Sequence, residues 1–336
     1  MSPDRALLVE AFLAASGWGG AERHALPGDA SFRRYHRLHL GRRRALLMDA
    51  PPDREDVRPY VAVARLLRRL GFSAPEILAE DPAHGLLVIE DFGDDTYTRL
   101  LARGDDERAL YRLAVDLLAE LQRRFRPEDG AGLPAYDDDR LLAEAALLTD
   151  WFLPAATGAA TSSAMREEYL SLWRDLLAVA RAAPRTLVLR DYHIDNLMLL
   201  PGRDGVAACG VLDFQDAVIG PASYDLVSLL EDARRDIAPA LAREMYQRYL
   251  DACPALDRAA FAASYAVMGA QRNAKIVGIF TRLCVRDGKR GYLAHIPRLW
   301  RLLDGDLAHP ALEPMRAWFD RAVPAGLRSV PRSLAA

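Results

Sequence analysis

Two stretches of the chain place polar residues between apolar runs in a pattern that could do chemistry. In LVLRDYHIDNLMLL (187–200), an apolar run ends at Arg190, Asp191 follows, Asn196 comes five positions later, and a second apolar run begins. In GVLDFQDAVIGPASYDL (210–226), Asp213 closes an apolar run 22 residues after Asp191, and Asp225 lies 12 residues further on, where a helical pattern starts. Transfer of a phosphoryl group from ATP needs an acceptor hydroxyl held in line, a group to take its proton, and Mg²⁺ across the phosphates. Asp191 suits the proton acceptor. Asn196 and Asp213 suit Mg²⁺, which accepts hard oxygen ligands and completes its shell with water and phosphate. Any one of these residues also reads as an ordinary cap of a turn or strand end. D-x4-N between two apolar strands, then LDF, then G-P-x3-D is a more specific combination.

These residues need elements to hold them. Residues 1–16 carry an amphipathic helical pattern stopped at Ser16-Gly17, and residues 23–49 alternate short apolar runs with Gly, Asp and Arg clusters, as in a β-meander. Residues 55–70 return to helical period, and EILAE and LLVIE follow as short strands. After Gly93 helical patterns dominate, over about 95–102, 106–124, 139–149 and 164–182, with loops at 126–138 and 154–163. A strand island (186–190, 197–200, 210–214) interrupts them, and helices resume from about 222. The expected fold is α+β and bilobal. Residues 1–92 form a sheet-rich N-lobe covering the nucleotide, and residues 93–336 form a mainly helical C-lobe with the catalytic loop, metal site and acceptor helices. A cleft between such lobes is a usual ligand site.

Bulk properties narrow the class. The 336 residues are 51% hydrophobic and 27% charged, with a net charge of −3. This balance supports neither a nucleic-acid coat nor a membrane-surface role. Cys209, Cys253 and Cys284 are dispersed, which argues against a disulfide framework or zinc site and for a reducing cytoplasm. The N-terminus does not read as a signal peptide, and no uncharged apolar run approaches about 18 residues. The five tryptophans form no stacking pattern for single-stranded nucleic acid. A cytoplasmic protein with a small-molecule substrate and no obligate protein partner is expected.

DYHIDN, VLDFQDAVIGPASYD and the two-lobe layout resemble the aminoglycoside phosphotransferase and choline-kinase-like superfamily, which shares the protein-kinase fold. The resemblance spans roughly residues 20–320. It implies that Asp191 accepts the proton, that Asn196 and Asp213 hold Mg²⁺, and that Asp225 braces the catalytic loop. The segment LPGDASFRRYHRL (26–38) stands where such proteins fold a phosphate-covering loop. Gly28, Asp29, Ala30, Ser31, Phe32 and Arg33 are therefore candidates for nucleotide contact, although Gly-Asp there is also ordinary hairpin chemistry. LLVIEDFGD (86–94) stands at the inter-lobe hinge, which makes Glu90, Asp91 and Phe92 candidates for adenine binding through the backbone. GDASFRRY, MDAPPD (48–53), and segments 136–152 and 271–293 are similar to one subgroup, the anomeric kinases of N-acetylmuramate and N-acetylglucosamine. That likeness implies a sugar 1-phosphate product and a place in peptidoglycan recycling.

Two positions depart from the superfamily pattern. The third strand reads ALLMDAPP and lacks the usual phosphate-pairing Lys, leaving Arg33, Arg34 or Arg44 to supply the charge. Leu189 replaces the usual His two residues before Asp191. These departures keep a non-catalytic pseudokinase open beside the kinase. For the acceptor, residues 271–301 contain eight Arg and Lys against one acid, Asp287. A polycationic acceptor would be repelled there, whereas a sugar carboxylate would pair. Arg272 and Lys275, three apart on one helix face, are the candidate pair. Within the loop, His193 and Asp195 are candidates either for sugar contact or for fixing the loop locally. Aminoglycoside, choline or homoserine acceptors are the alternatives.

Overall fold

The computed structural model describes residues 3–27 and 32–335. Gly28, Asp29, Ala30 and Ser31, expected at the phosphates, lie outside the described residues. Helix α1 (Pro3–Ala15) precedes strands β1 (Glu22–Ala25), β2 (Arg34–Leu40) and β3 (Arg43–Asp49), helix α2 (Arg58–Arg69), strands β4 (Ile77–Asp81) and β5 (Leu86–Ile89), and helices α3 (Tyr97–Arg103) and α4 (Glu107–Arg124). Then come α5 (Asp138–Leu147), α6 (Leu153–Thr157), α7 (Ser163–Ala180), β6 (Arg185–Val188), β7 (Leu197–Leu199), β8 (Cys209–Val211) and β9 (Val218–Pro221). Helices α8 (Ser223–Leu230), α9 (Pro239–Ala252), α10 (Arg258–Asp287), α11 (Ile296–Asp306) and α12 (Glu313–Ala322) complete the order.

The chain divides into two compact units, one of residues 1–117 with 194–217, the other of 118–193 with 218–336. In the first unit the sheet runs β1-β2-β3-β5-β4, and every neighbouring pair is antiparallel. Alternation along β3 sets its two faces. Ala45 and Leu47 are buried against Val9 and Leu13 of α1, Trp18, and Leu86 and Val88 of β5. Leu46 points the other way, into a cavity. At the end of β3, Asp49 is buried and takes Nε and Nη2 of Arg5 at 3.0 and 2.6 Å, which fastens α1 to the sheet. Thr96 caps α3 by accepting Arg99 N–H, and Gly104 ends it at φ 87°, a left-handed conformation that favours glycine. The hairpin β7–β8 belongs to this unit and is tied to Ser73, whose carbonyl accepts Val211 N–H at 2.8 Å and whose hydroxyl donates to Ala207 O at 2.6 Å.

The second unit is built around α10, whose first turn is capped by Asp257 accepting Ala259 and Ala260 N–H. Its core gathers Phe152, Tyr169, Trp173, Trp300, Trp318 and Phe319 with the apolar face of α10. The stretch expected as loop from 154 is partly helical: a π-helical turn, Leu148–Phe152, runs into α6. Gly278 of α10 meets this junction so closely that a Cβ would stand 2.3 Å from the Leu147 carbonyl carbon and 2.4 Å from its oxygen. Backbone cannot yield as a flexible side chain can. Gly278→Ala is therefore expected to lower stability by about 1–3 kcal/mol or more, measured as a drop in urea midpoint at unchanged m. Strand β9, unforeseen in sequence, pairs antiparallel with β6, Leu187 opposite Ile219.

Candidate functional site

The second unit presents Asp191. Strand β6 runs into a bend at Arg190, which has φ 70°, a conformation that costs a branched or long residue roughly 1–2 kcal/mol. Neighbouring groups hold that bend from several sides. Asp225, buried in α8, accepts Leu189 N–H at 2.6 Å and Arg190 N–H at 2.9 Å. Ser228 Oγ donates to Arg190 O at 3.2 Å, and Arg272 Nη2 donates to Ser228 Oγ at 3.0 Å. The Arg190 guanidinium pairs with Glu144 Oε1 at 2.5 Å and lies 5.5 Å from the Tyr136 ring. Glu144 also accepts the Tyr136 hydroxyl at 2.6 Å and pairs with Lys275 Nζ at 3.0 Å. Burial raises the affinity of Glu144 for a proton, but Lys275 and Arg190 outweigh it and hold the carboxyl below its usual range. Asp191 itself is exposed, and its carbonyl accepts His193 N–H at 3.2 Å. His193 is buried with Nε2 3.4 Å from Arg234 Nη1, and burial, then Arg234, lower its basicity.

Burial pushes the Asp225 carboxyl up to about 7, against the two N–H groups that favour its ionised form. The folded chain therefore holds a proton that the unfolded chain, titrating near about 4, gives up. That contribution to stability is fully present below about pH 4 and is lost as pH rises through about 7, with a slope approaching 1.4 kcal/mol per pH unit. Asp225→Asn is expected to flatten this part of the pH dependence, read from urea midpoints across that window.

The first unit holds a cavity of about 290 Å³. Leu46, Tyr60, Ile89, Phe92, Met198 and Leu212 give it apolar walls, and Arg33, Arg37, Asp94, Asn196 and Asp213 add charged and polar groups to its lining. Asn196 O accepts Leu212 N–H at 2.9 Å, which holds Asn196 beside the strand leading to Asp213. Asp213 has φ 55°, a left-handed conformation more common for Asp than for most residues, and the next residue, Phe214, stacks on Tyr60 of α2 at 4.8 Å. Arg33 Nη2 and Gln215 Nε2 both donate to Asp213 Oδ1, each at 3.0 Å. Among the described residues no protein donor reaches Asp213 Oδ2.

Glu90 and Phe92 line the cavity, while Asp91 turns its carboxylate to Arg37 Nε at 2.7 Å and to Gly93 N–H at 2.9 Å. Phe92 lies on Gly210 of β8, where a Cβ would come within 2.9 Å of its ring. Phe32 is exposed at 57%. Of the three arginines considered for the missing third-strand charge, Arg33 lines the cavity, while Arg34 and Arg44 are exposed on the sheet. Arg37 of β2, not singled out in sequence, lines the cavity too and bridges Asp91 and Asp94. Asp195 accepts the Thr98 hydroxyl of α3. Arg272 and Lys275, expected to face an acceptor, are both engaged inside the protein: Arg272 by Ser228 and the Glu231 carbonyl, Lys275 by Glu144 and the Tyr224 hydroxyl. Glu144, Tyr136 and Ser228 escaped sequence reasoning because their partners lie far along the chain. Tyr136 and Glu144 fall in segment 136–152, which resembles the subgroup, and Glu144 breaks an apolar stretch of α5, but neither signal names their partners.

The donor set can be tested against a divalent metal. Asn196 and Asp213 bring one amide and one carboxylate oxygen group to the same cavity. Among the described residues no three His, Cys, Asp or Glu cluster into a cage. Such a pair fits an ion that takes one or two protein oxygens and leaves most of its shell to phosphate and water, as Mg²⁺ does.

The chain matches the APH model, described as the phosphotransferase enzyme family, over residues 22–262. It is 41% identical over 361 residues to the N-acetylmuramate/N-acetylglucosamine kinase of Caulobacter vibrioides, covering 98% of this chain and 99% of that protein. It is 39% identical over 317 residues to a protein of the same name in Pseudomonas aeruginosa, covering 90% and 89%. Among solved structures, a choline/ethanolamine kinase family protein from Mesorhizobium loti is similar with a TM-score of 0.60 at 15% identity, over 94% of this chain and 98% of that one. The antiparallel sheet followed by a mainly helical remainder is thus the protein-kinase-like fold of the aminoglycoside and choline kinases. The chain belongs to the phosphotransferase enzyme family, and it is a kinase that acts on a hydroxyl group.

Proposed function

We propose that this kinase uses ATP and Mg²⁺ to phosphorylate the anomeric C1 hydroxyl of N-acetylmuramate and N-acetylglucosamine, forming the sugar 1-phosphate in the recycling of peptidoglycan. The observation that carries the acceptor is the near full-length identity of 41% to a protein named for both sugars. In this reading, residues 1–92 act as the nucleotide-covering lobe and residues 93–336 as the lobe that carries acceptor and catalytic loop. The apolar part of the 290 Å³ cavity takes the nucleotide base beside Glu90 and Phe92, and Arg33, paired with Asp213, faces its phosphates. Asn196 and Asp213 would hold Mg²⁺, which would supply positive charge to neutralise the phosphates. Asp191 orients the sugar hydroxyl and takes its proton, and Asp225, Ser228 and Glu144 keep the backbone before it in place. Positioning and charge neutralisation supply most of the acceleration. The decisive experiment is ³¹P NMR of the product made from each sugar with ATP and Mg²⁺. A phosphorus signal coupled to the anomeric proton is the expected result; phosphate on another hydroxyl, or transfer only to choline or an aminoglycoside, overturns the proposal.

A further inference from the structure

The second unit offers a cation close to Asp191 other than the two marked out in sequence. Arg272 and Lys275 are engaged with Ser228, Glu231, Glu144 and Tyr224. Arg298 and Arg301 share Asp236, at 2.8 and 2.9 Å, and together hold its carboxyl down at about 2. Arg234 differs from all four. It is exposed, and its backbone N–H donates to the buried Asp232 Oδ1 at 2.7 Å. Among the described residues its guanidinium makes no ion pair with a carboxylate, and its side-chain hydrogen bond is to His193 Nε2 at 3.4 Å. His193 is two residues from Asp191 and hydrogen-bonds to its carbonyl through the backbone. The guanidinium therefore stands one side chain away from the exposed Asp191.

A guanidinium held by a ring and left without an anion is a ready receptor for a carboxylate, which it can grip through two parallel N–H donors. The two sugars named above differ by one such group. N-acetylmuramate carries a lactyl ether with a carboxylate on O3, two carbons along the pyranose ring from C1, and N-acetylglucosamine carries a plain hydroxyl there. Resting on the functional reading above, we propose that Arg234 is the residue that recognises the lactyl carboxylate and so sets the preference between the acidic and the neutral sugar. His193 positions it, which gives that buried ring a role in the acceptor site without contact with the reacting atoms.

The test is steady-state kinetics of the full chain, its Arg234→Gln variant and its Arg234→Lys variant with both sugars at low and high salt. Arg234→Gln is expected to raise KM for N-acetylmuramate roughly 10- to 100-fold, the usual range for a lost charge-assisted hydrogen-bond pair. KM for N-acetylglucosamine and both kcat values should stay within about threefold, as for loss of binding common to ground and transition state. Arg234→Lys should recover part of the loss, because it keeps the charge without the fork. Rising salt should erode the wild-type preference for N-acetylmuramate and leave the Gln variant unmoved. Equal losses on both sugars, or an unchanged KM for N-acetylmuramate, overturn the assignment of Arg234. A wild-type chain that phosphorylates neither sugar overturns the functional reading, and the inference falls with it.

Discussion

Asp191→Ala is expected to reduce phosphoryl transfer by about 10²–10⁴-fold, the range associated with losing a positioned proton acceptor. Binding of nucleotide should persist, because the cavity residues of the first unit are untouched by the change. Stability should move little, since Asp191 is exposed and Asp225, Ser228 and Glu144 all hold the bend before it. Asp191→Asn separates position from basicity: it keeps the shape and removes the proton affinity, so it should be about as inactive. Turnover and fluorescent-nucleotide binding, measured on the same preparations, give the answer. Wild-type turnover in either variant would remove Asp191 from the reaction.

Asp213→Asn carries the second large effect, on a different readout. Asp213 Oδ1 already serves Arg33 and Gln215, so Oδ2 is the oxygen available for a metal. Replacing the carboxylate is expected to lower kcat by about 10²–10³-fold, comparable to removal of one electrostatic stabiliser at a developing charge. It should also raise the Mg²⁺ concentration needed for half-maximal rate, so that excess Mg²⁺ partly restores turnover. It should lower the melting temperature as well, because Arg33 is largely buried, its side chain 11% exposed, and would lose its anion. Unchanged Mg²⁺ dependence alongside a lower kcat would assign Asp213 to holding Arg33 and not to the metal.

Much of the fold was legible because its signals are local. The meander of β1 to β3, helix α2 and the helical stretches after Gly93 each declare themselves within a dozen residues, through apolar period and Gly or Asp punctuation. The same holds for the D-x4-N loop, whose flanking runs form β6 and β7. What stayed hidden depends on partners distant in sequence. Strand β9 contains Gly220-Pro221, which reads as a turn, and becomes a strand only opposite Arg185–Val188. The spacing of Arg272 and Lys275 correctly places them near one another on α10, yet spacing says nothing about Ser228, 44 residues away, or Glu144, which engage them. Charge counting over 271–301 likewise cannot register Asp236, which lies outside the segment and neutralises two of its arginines. Arg234 escaped the count for the same reason in reverse, since it belongs to another segment altogether.

The division of the chain into units also has a temporal consequence. The first unit contains residues 1–117 but is completed only by 194–217, so strands made early in synthesis wait for a hairpin made late. At typical translation rates, the stretch from 118 to 217 takes roughly 5–20 s to emerge. During that interval Ser73 lacks the strand it finally pairs with, Phe92 lacks the glycine it rests on, and Tyr60 lacks Phe214. A nascent chain arrested before residue 194 would hold the sheet without the wall that closes its cavity. Ribosome-bound intermediates of this length lack those contacts and leave the apolar groups that make them uncovered.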